Sequence, residues 1–120
     1  MARLHVARTK THIYKLDLIN GFRYYLSVIK SFASKETEQL WQRNRPKHIP
    51  SNLHKIALRK LYILDAAMDI NDLRVPPGNR LEKLKGRRKD QHSIRINDQW
   101  RICFLWMQGN AYDVEIIDYH

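Results

Sequence analysis

Three strand-like segments near the C-terminus, separated by very short turns, constrain the fold most. They are HSIRI (92–96), WRICFLW (100–106) and AYDVEII (111–117), and the turns between them contain NDQ and QGN. So few connecting residues leave no room for a crossover, so the strands must be antiparallel neighbours in one sheet. A further strand, RLEKLK (80–85), is predicted just before them, after the strong turn signal VPPGNR (75–80).

Two helices are predicted ahead of this sheet. The first is SKETEQLWQRNRP (34–46), with Ser34 as N-cap, acidic residues in the first turn and Arg43 and Arg45 in the last turn. That order of charges is the one that the helix dipole favours, and Pro46 ends the helix. An earlier segment, VIKSF (28–32), is predicted to be a strand.

The second helix, SNLHKIALRKLYILDAAM (51–68), contains the longest periodic pattern in the chain, and Ser51 is its predicted N-cap. One face is predicted to be apolar. Its members are Leu53, Ile56, Ala57, Leu61, Leu64 and Met68. The sequence therefore predicts an α+β fold, in which two N-terminal helices pack on one face of a small, mainly antiparallel sheet.

Length and charge limit the classes of function. The 120 residues suffice for one domain, and 22 Lys and Arg against 12 Asp and Glu give a formal charge of +10. Residues 1–27 contain five basic residues and one acid, so residues 28–120 retain 17 basic and 11 acidic residues, or +6. This excess indicates a polyanionic partner, with nucleic acid first and a membrane surface second. We expect residues 1–27 to be an N-terminal extension of a domain at 28–120.

The single cysteine, Cys103, excludes an intrachain disulfide and fits a reducing cytoplasm. No apolar run is long enough to predict a membrane span, so no membrane partner is expected. The histidines His48 and His54 lack a metal-ligand spacing, and no metal site is predicted.

Successive side chains along a strand point to opposite faces of the sheet, and this alternation assigns each residue to one face. The face expected to pack on the helices consists of Ile94, Ile96, Trp100, Ile102, Phe104, Trp106, Tyr112, Val114 and Ile116. The opposite face collects Ser93, Arg95, Arg101, Cys103, Asp113 and Glu115. Arg101 lies within an otherwise apolar strand, where an unpaired charge is costly. Two interpretations stay open: a cross-strand ion pair with Asp113 or Glu115, or an anion-binding role shared with Lys85, Arg87 and Arg88.

The chain from Val28 onward resembles the HigB-type toxins of the RelE/ParE superfamily. The resemblance is carried by VIKSF, ILDAA, VPPGNRLEKLKG, QHSIRINDQWRICF and NAYDVEIIDYH, which occur in the family's order and cover nearly all of residues 28–120. Members of that family start near IKSF. We therefore hypothesise that Val28, through an alternative start codon, is the native start.

The resemblance implies a cytoplasmic bacterial enzyme that cleaves mRNA in the ribosomal A site, and a helix-turn-helix antitoxin, HigA, as its partner. The expected chemistry needs no cofactor, since the RNA's own 2′-hydroxyl attacks the adjacent phosphate. That reaction requires a base, an acid and cations around the phosphate.

The residues offer a candidate for each role. His120 is the expected acid or base, because an unperturbed imidazole has a pKa near ~6.5. Lys85 and Arg101 are the expected phosphate clamps. Asp118 is expected to orient His120, and Tyr119 to stack on a base or donate a hydrogen bond. Further RNA contacts are expected from Arg87, Arg88 and Arg95.

The sequence departs from the family pattern at one position. Well-known members carry a histidine three residues before the lysine of LKG, where this chain has Glu82. A carboxylate with a raised pKa can also act as a base. His92, one strand away, is the other candidate, although its position beside Ile94 and Ile96 predicts that it points toward the core.

Two alternative functions are compatible with the same fold and involve no catalysis. One is a ParE-like inhibitor that binds DNA gyrase, and the other is a nucleic-acid-binding module. Neither requires an imidazole near Lys85 and Arg101, so dependence on His120 distinguishes the endonuclease from both.

Overall fold

The computed structural model describes residues 4–8, 13–17, 23–25 and 27–119. Three strands, β1 (Leu4–Arg8), β2 (Ile13–Asp17) and β3 (Arg23–Tyr25), form an antiparallel sheet of their own in the segment predicted to be an extension. The sequence there lacks a sustained periodicity, so these strands were not predicted. The boundary at Val28 remains a prediction.

A second sheet contains the strands expected from the C-terminal pattern. Its strands are β4 (Glu82–Lys83), β5 (Gln91–Arg95), β6 (Trp100–Met107) and β7 (Asn110–Asp118), paired antiparallel in that order. The mainly antiparallel sheet and the α+β class are therefore confirmed.

The strand predicted at 80–85 is only two residues long. Arg80 adopts a left-handed backbone with φ 44°, so extended structure cannot begin there. After β4 the chain enters a 3₁₀ turn at Gly86–Arg88, and Gly86 has φ 66°. The turn moves Lys85 out of the strand.

The segment predicted as a strand at 28–32 lies alongside β7 without forming a regular strand. It makes two isolated parallel bridges, Ile29 to Ala111 and Phe32 to Val114. The Lys30 amide donates to the Ala111 carbonyl at 2.8 Å. This segment covers the edge of β7 that would otherwise offer unpaired backbone groups.

The first helix, α1 (Lys35–Trp41), is shorter than predicted. Ser34 is its N-cap as expected, with its hydroxyl accepting the Thr37 amide at 3.1 Å. The prediction that Arg43 and Arg45 occupy its last turn is wrong. Arg43 has φ 69°, a conformation that ends an α-helix.

The second helix, α2 (His54–Asp65), follows a 3₁₀ turn at Ser51–Leu53. Ser51 is therefore not its N-cap, and Leu53 occupies that position without a side-chain hydrogen bond. Because α2 ends at Asp65, Met68 leaves the predicted apolar face and is 51% exposed. None of the helices in the described ranges is long and apolar enough to cross a membrane.

The core lies between the helices and the second sheet. Ala57, Leu61 and Leu64 of α2 are fully buried in one cluster with residues of the three long strands, Ile94, Ile102, Phe104 and Val114 among them. The Thr37 hydroxyl of α1 accepts the Ile116 amide at 3.0 Å.

One residue predicted on the core face is not there. The register shifts between Cys103 and Leu105, which marks a β-bulge, and Asp113 has φ 52°. Tyr112 therefore pairs with Leu105, whereas Ala111 and Val114 are fully buried in the core. An extra residue in one strand reverses the alternation beyond it, and a simple period of two cannot anticipate this.

Candidate functional site

A cavity of about 300 Å³ opens at the end of the second sheet where β5, β6 and the C-terminal end of β7 meet. Its walls come from the turn before β4, from β4 to β6 and from the residue after β7. The lining residues are Arg80, Glu82, Arg95, Asn97, Asp98, Arg101 and Tyr119. Three cations and two carboxylates give this pocket a net charge of +1. We call it the sheet pocket.

Arg101 is the most buried charged group of the sheet pocket, with 7% of its surface exposed. Its Nε donates to the Ser93 hydroxyl at 2.7 Å, and its Nη2 donates to the carbonyls of Arg80 at 2.5 Å and of Ser93 at 3.3 Å. These acceptors offset the cost of burying a cation and hold the guanidinium in one orientation. They leave Nη1 as the nitrogen that faces the acidic wall of the pocket.

Glu82 supplies that acidic wall. Its Oε1 lies 3.8 Å from Nη1 of Arg101, an ionic contact too long for a hydrogen bond, and its side chain is 50% exposed. Both predicted partners of Arg101 are therefore wrong. Glu115 pairs with Arg88 at 3.2 Å, and Asp113 lies at the bulge beside the hydroxyl of Ser31. The partner comes from β4 because Glu82 aligns with Ser93, the residue that also holds Arg101.

Two further arginines line the sheet pocket. Arg95 aligns with Arg101 on the neighbouring strand and forms an ion pair with Asp98. Arg80 is exposed, while its carbonyl accepts from Arg101. The pocket thus gathers three guanidinium groups, two of which have carboxylate partners.

Tyr119 lies against Arg101, with its ring centroid 5.8 Å from the guanidinium carbon. Its amide donates to the Gln99 carbonyl at 2.6 Å, which fixes the chain beyond β7 to the turn between β5 and β6. Asp118 accepts from the Gln99 side chain at 2.9 Å. His120, the predicted acid or base, lies outside the described residues, and so does its expected contact with Asp118.

His92 lies on the other face of the sheet, as its neighbours predicted. Its ring stacks on Phe104 with centroids 6.2 Å apart, and it pairs with Lys83 rather than with Glu82. Burial, and then the charge of Lys83, lower the pKa of His92 below its usual value. The geometry does not bring His92 to the sheet pocket.

The other basic residues singled out from the sequence are spread more widely. Lys85 and Arg87 are exposed and do not line the sheet pocket. Arg88 donates to Gln91 at 2.9 Å and to Glu115 at 3.2 Å, so it is tied to the sheet. In the part of the chain that the structure describes, no group of three or more His, Cys, Asp or Glu residues is arranged to hold a metal.

Sequence reasoning missed Arg80 and the three acceptor atoms, on Ser93 and Arg80, that orient Arg101. Arg80 and Glu82 are two residues apart, and this spacing could have placed them on one side of the chain. No sequence signal shows that the Arg80 carbonyl turns toward Arg101, because that depends on its left-handed backbone.

Comparison with known proteins gives a consistent set of relatives. Residues 30–120 match the family model described as the RelE-like toxin of the type II toxin-antitoxin system HigB. The chain is 47% identical over 81 residues to Toxin HigB-1 of Vibrio cholerae, covering 67% of this chain and 85% of the relative. It is 32% identical over 97 residues to Endoribonuclease HigB of Proteus vulgaris, covering 78% of this chain and all of the relative. An uncharacterised protein of Haemophilus influenzae is 42% identical over 72 residues, which cover 60% of this chain and 70% of that protein.

Proposed function

We propose, since the chain belongs to the HigB family of RelE-like toxins of type II toxin-antitoxin systems, that it is an endoribonuclease that cleaves mRNA on the ribosome. One relative bears the name Endoribonuclease HigB. The observation that carries the proposal is the buried Arg101 guanidinium, held by three acceptors with Nη1 toward the pocket. A cation fixed in this way is suited to a phosphate whose charge grows during reaction.

Arg101 is the proposed clamp for the scissile phosphate. Its three acceptors hold it before substrate arrives, so no reorientation is needed as charge develops. Arg80 and Arg95 extend the positive surface along the sheet pocket, where neighbouring phosphates of the strand would lie. Lys85 and Arg87 are exposed on the turn after β4, where they are proposed to contact RNA outside the pocket. Arg88 would have to leave Glu115 before it could do so.

Glu82 is the proposed general base for the 2′-hydroxyl. It lies in the sheet pocket beside Arg101, whereas His92 is on the opposite face. A phosphate bound to Arg101 would bring negative charge to the carboxylate of Glu82. This negative charge favours transfer of the 2′-hydroxyl proton to the carboxylate.

His120 is the proposed general acid for the leaving oxygen, and Tyr119 the proposed stacking partner for a base. The support is that Tyr119, which directly precedes His120, already lies against Arg101. Asp118 is proposed to orient His120, in competition with its hydrogen bond from Gln99. The reaction needs no metal in this proposal, because Arg101 supplies the charge stabilisation.

The proposed partners are a HigA-type antitoxin, mRNA and the ribosome, in the bacterial cytoplasm. The proposed toxin domain is 28–120. Its support is the match of the family model to residues 30–120. The buried Asp65 ties the start of this segment to α2, since its Oδ1 accepts the amides of Val28 and Ile29 at 2.8 and 2.9 Å and the Ser27 hydroxyl at 3.2 Å. A chain beginning at residue 28 should therefore fold and keep its activity. Loss of either property would place residues 1–27 inside the functional unit.

The test is cleavage of a defined mRNA by purified protein, with and without ribosomes, with new 5′ ends mapped. We expect cleavage on ribosomes and little on naked mRNA. His120→Gln keeps a hydrogen-bonding group without proton chemistry, so the rate should fall by about 10²–10⁴-fold. An unchanged rate in this variant would remove His120 from the mechanism. Inhibition of gyrase supercoiling without mRNA cleavage would replace the proposal with the ParE-like function.

A further inference from the structure

A second basic surface lies between the end of α1 and the start of α2. It is a groove of about 340 Å³, which we call the helix groove. The lining residues are Leu40, Arg43, Asn44, Arg45, Ser51, His54, Lys55 and Leu58. No Asp or Glu is among them. The helix groove shares no lining residue with the sheet pocket, so the proposed cleavage reaction does not account for it.

The cations of the helix groove have no ionic partner among the residues that the structure describes. Within the described residues, Arg43, Arg45 and Lys55 form no ion pair, and all three are exposed. Their combined charge of +3 is therefore available to a ligand. Like charges gathered without counter-ions destabilise a fold by mutual repulsion, and a bound anion relieves this repulsion.

Arg43 occupies a position where glycine is the favoured residue. The Asn44 amide donates to the Gln39 carbonyl at 2.8 Å, and the Arg43 amide donates to the Leu40 carbonyl at 3.0 Å. These two bonds form the Schellman motif that closes a helix, with Arg43 as its left-handed residue at φ 69°. A side chain there strains the backbone, so the helix end by itself does not favour arginine at this position.

The guanidinium of Arg43 lies over one aromatic ring. Its guanidinium carbon lies 5.0 Å from the Tyr62 ring centroid, and Trp41 packs against the same ring at 5.1 Å. A guanidinium stacked on a ring keeps its N–H groups free at the rim, in the plane where they bind phosphate oxygens. Arg43 is thus oriented in the helix groove before any ligand binds.

We propose that the helix groove binds the phosphate backbone of RNA, as a second contact apart from the cleavage site. Phosphate matches these exposed cations, and the Ser51 hydroxyl and the side-chain amide of Asn44 add donors. An acidic amphipathic peptide fits less well, because it needs exposed apolar residues as anchors. Among the described residues the exposed large apolar side chains are Met68, Val75, Met107 and Tyr119, and none of them lines the helix groove. The two leucines that line it are buried (Leu40) or half-buried (Leu58). This binding goes beyond the proposed cleavage and does not depend on it.

The test compares Arg43→Gly, Lys55→Gln and their combination with Lys30→Gln. Lys30 is exposed and lines neither surface, so it controls for net charge. Binding to a labelled RNA hairpin is measured by fluorescence anisotropy over a range of salt concentrations. Each helix-groove variant should weaken binding on the order of threefold at physiological salt. Each should also reduce the slope of log K against log salt by roughly 1.

Arg43→Gly separates binding from folding. Glycine adopts the left-handed backbone without strain, and this gain offsets the loss of the contact between Arg43 and Tyr62, so the melting temperature should stay close to that of the parent even though RNA binding weakens. Unchanged RNA affinity in the double variant would overturn the proposal, and so would an equal loss in Lys30→Gln. Weaker antitoxin binding with unchanged RNA affinity would make the helix groove a protein interface instead. A parent that fails to cleave mRNA, with the RNA-binding losses still present, would refute the proposed function alone.

Discussion

The sheet pocket and the helix groove are both basic, yet their cations are held in opposite ways. In the sheet pocket Arg101 is buried, bonded to three acceptors and opposed by Glu82, and Arg95 pairs with Asp98. In the helix groove the cations are exposed, and within the described residues none of them has a carboxylate partner.

This difference separates two tasks that positive charge can perform. Buried, oriented charge stabilises a particular distribution of charge in a transition state and so affects the rate of a chemical step. Exposed, unpaired charge attracts polyanions over a distance and so affects affinity and its dependence on salt. Substitutions in the sheet pocket should therefore lower the rate with bound RNA, and those in the helix groove should lower affinity with the rate at saturation preserved.

The largest effect is expected for Glu82→Gln. Removing the proposed base should lower the single-turnover cleavage rate on saturating ribosomes by about 10²–10⁴-fold. Stability should change little, because the side chain is 50% exposed. The measurement is cleavage over time, paired with ribosome affinity. A normal rate with tighter RNA binding would make Glu82 only the resting counter-ion of Arg101.

A smaller loss of rate is expected for Arg101→Lys, which retains the charge and removes the planar fork. The rate should fall on the order of 10²-fold, as when one fixed donor to developing charge is lost. The free energy of unfolding should also fall by ~1–3 kcal/mol, since the hydroxyl of Ser93 and the carbonyl of Arg80 lose a donor.

Arg95→Lys is the matched control for Arg101→Lys, because Arg95 lies on the adjacent strand and keeps Asp98 as a partner. Rate and stability should both change less than in Arg101→Lys. Denaturant unfolding and the cleavage assay check the two parts. An effect of Arg101→Lys as small as that of Arg95→Lys would show that charge alone matters in the sheet pocket and that the fixed orientation of Arg101 does not.

The reactivity of the Cys103 thiol tests whether solvent is excluded from the sheet face that carries the sheet pocket. The thiol is fully buried, and burial raises its pKa to about 11 from an ordinary value of 9.0. That difference of 2 lowers the thiolate fraction near neutral pH by about 100-fold, before any protection by packing. Native protein should resist iodoacetamide at pH 8 and react after denaturation. Rapid labelling of native protein would mean that this face is open and that the sheet pocket is not bounded.

The smallest effect is expected from His92, on the opposite face. Burial lowers its folded pKa below the unfolded value, so the native state favours the neutral ring. Its stabilising contribution is complete above the unfolded pKa of 6.5 and is lost as the pH falls from there through the folded pKa. Denaturant unfolding of the parent should show this loss, and His92→Gln should reduce it.

His92→Gln should also leave mRNA cleavage unchanged, because the ring stacks on Phe104 away from Arg101. A large fall in the cleavage rate with stability retained would place the base on the core side of the sheet. The assignment of the sheet pocket as the reaction site would then be wrong.

Much of the fold followed from local patterns. The short turns among residues 92–117 required antiparallel neighbours, and Ser34 was recognised as an N-cap from its position before two acidic residues. The resemblance to a known family named Glu82, Arg101 and Tyr119 together with Lys85, and the first three line one pocket whereas Lys85 does not. Turns and helix caps depend on contacts between residues that are close along the chain, so the sequence pattern predicts them.

The features that the sequence did not predict lie where a residue adopts a backbone conformation that is rare for its type. Left-handed Arg43 ended α1 early, left-handed Arg80 shortened the strand before Glu82, and the bulge at Asp113 turned Tyr112 away from the core. None of these residues is a glycine, so composition carried no warning. Tertiary contacts select such conformations, as the stacking of Arg43 on Tyr62 illustrates.

Sequence alone settled the net charge, the antiparallel order of the long strands and the residue types available for chemistry, because these depend on identity and on neighbours along the chain. Only the tertiary structure decided which cations are paired. Arg101 meets Glu82 from another strand and the carbonyl of Arg80 from a turn, 21 residues away in sequence. Pairing of this kind depends on distances of a few ångströms between separate elements, which the folded chain sets and residue spacing does not encode. The presence of carboxylate partners in the sheet pocket, and their absence from the helix groove among the described residues, distinguishes a pocket suited to reaction from a groove suited to binding.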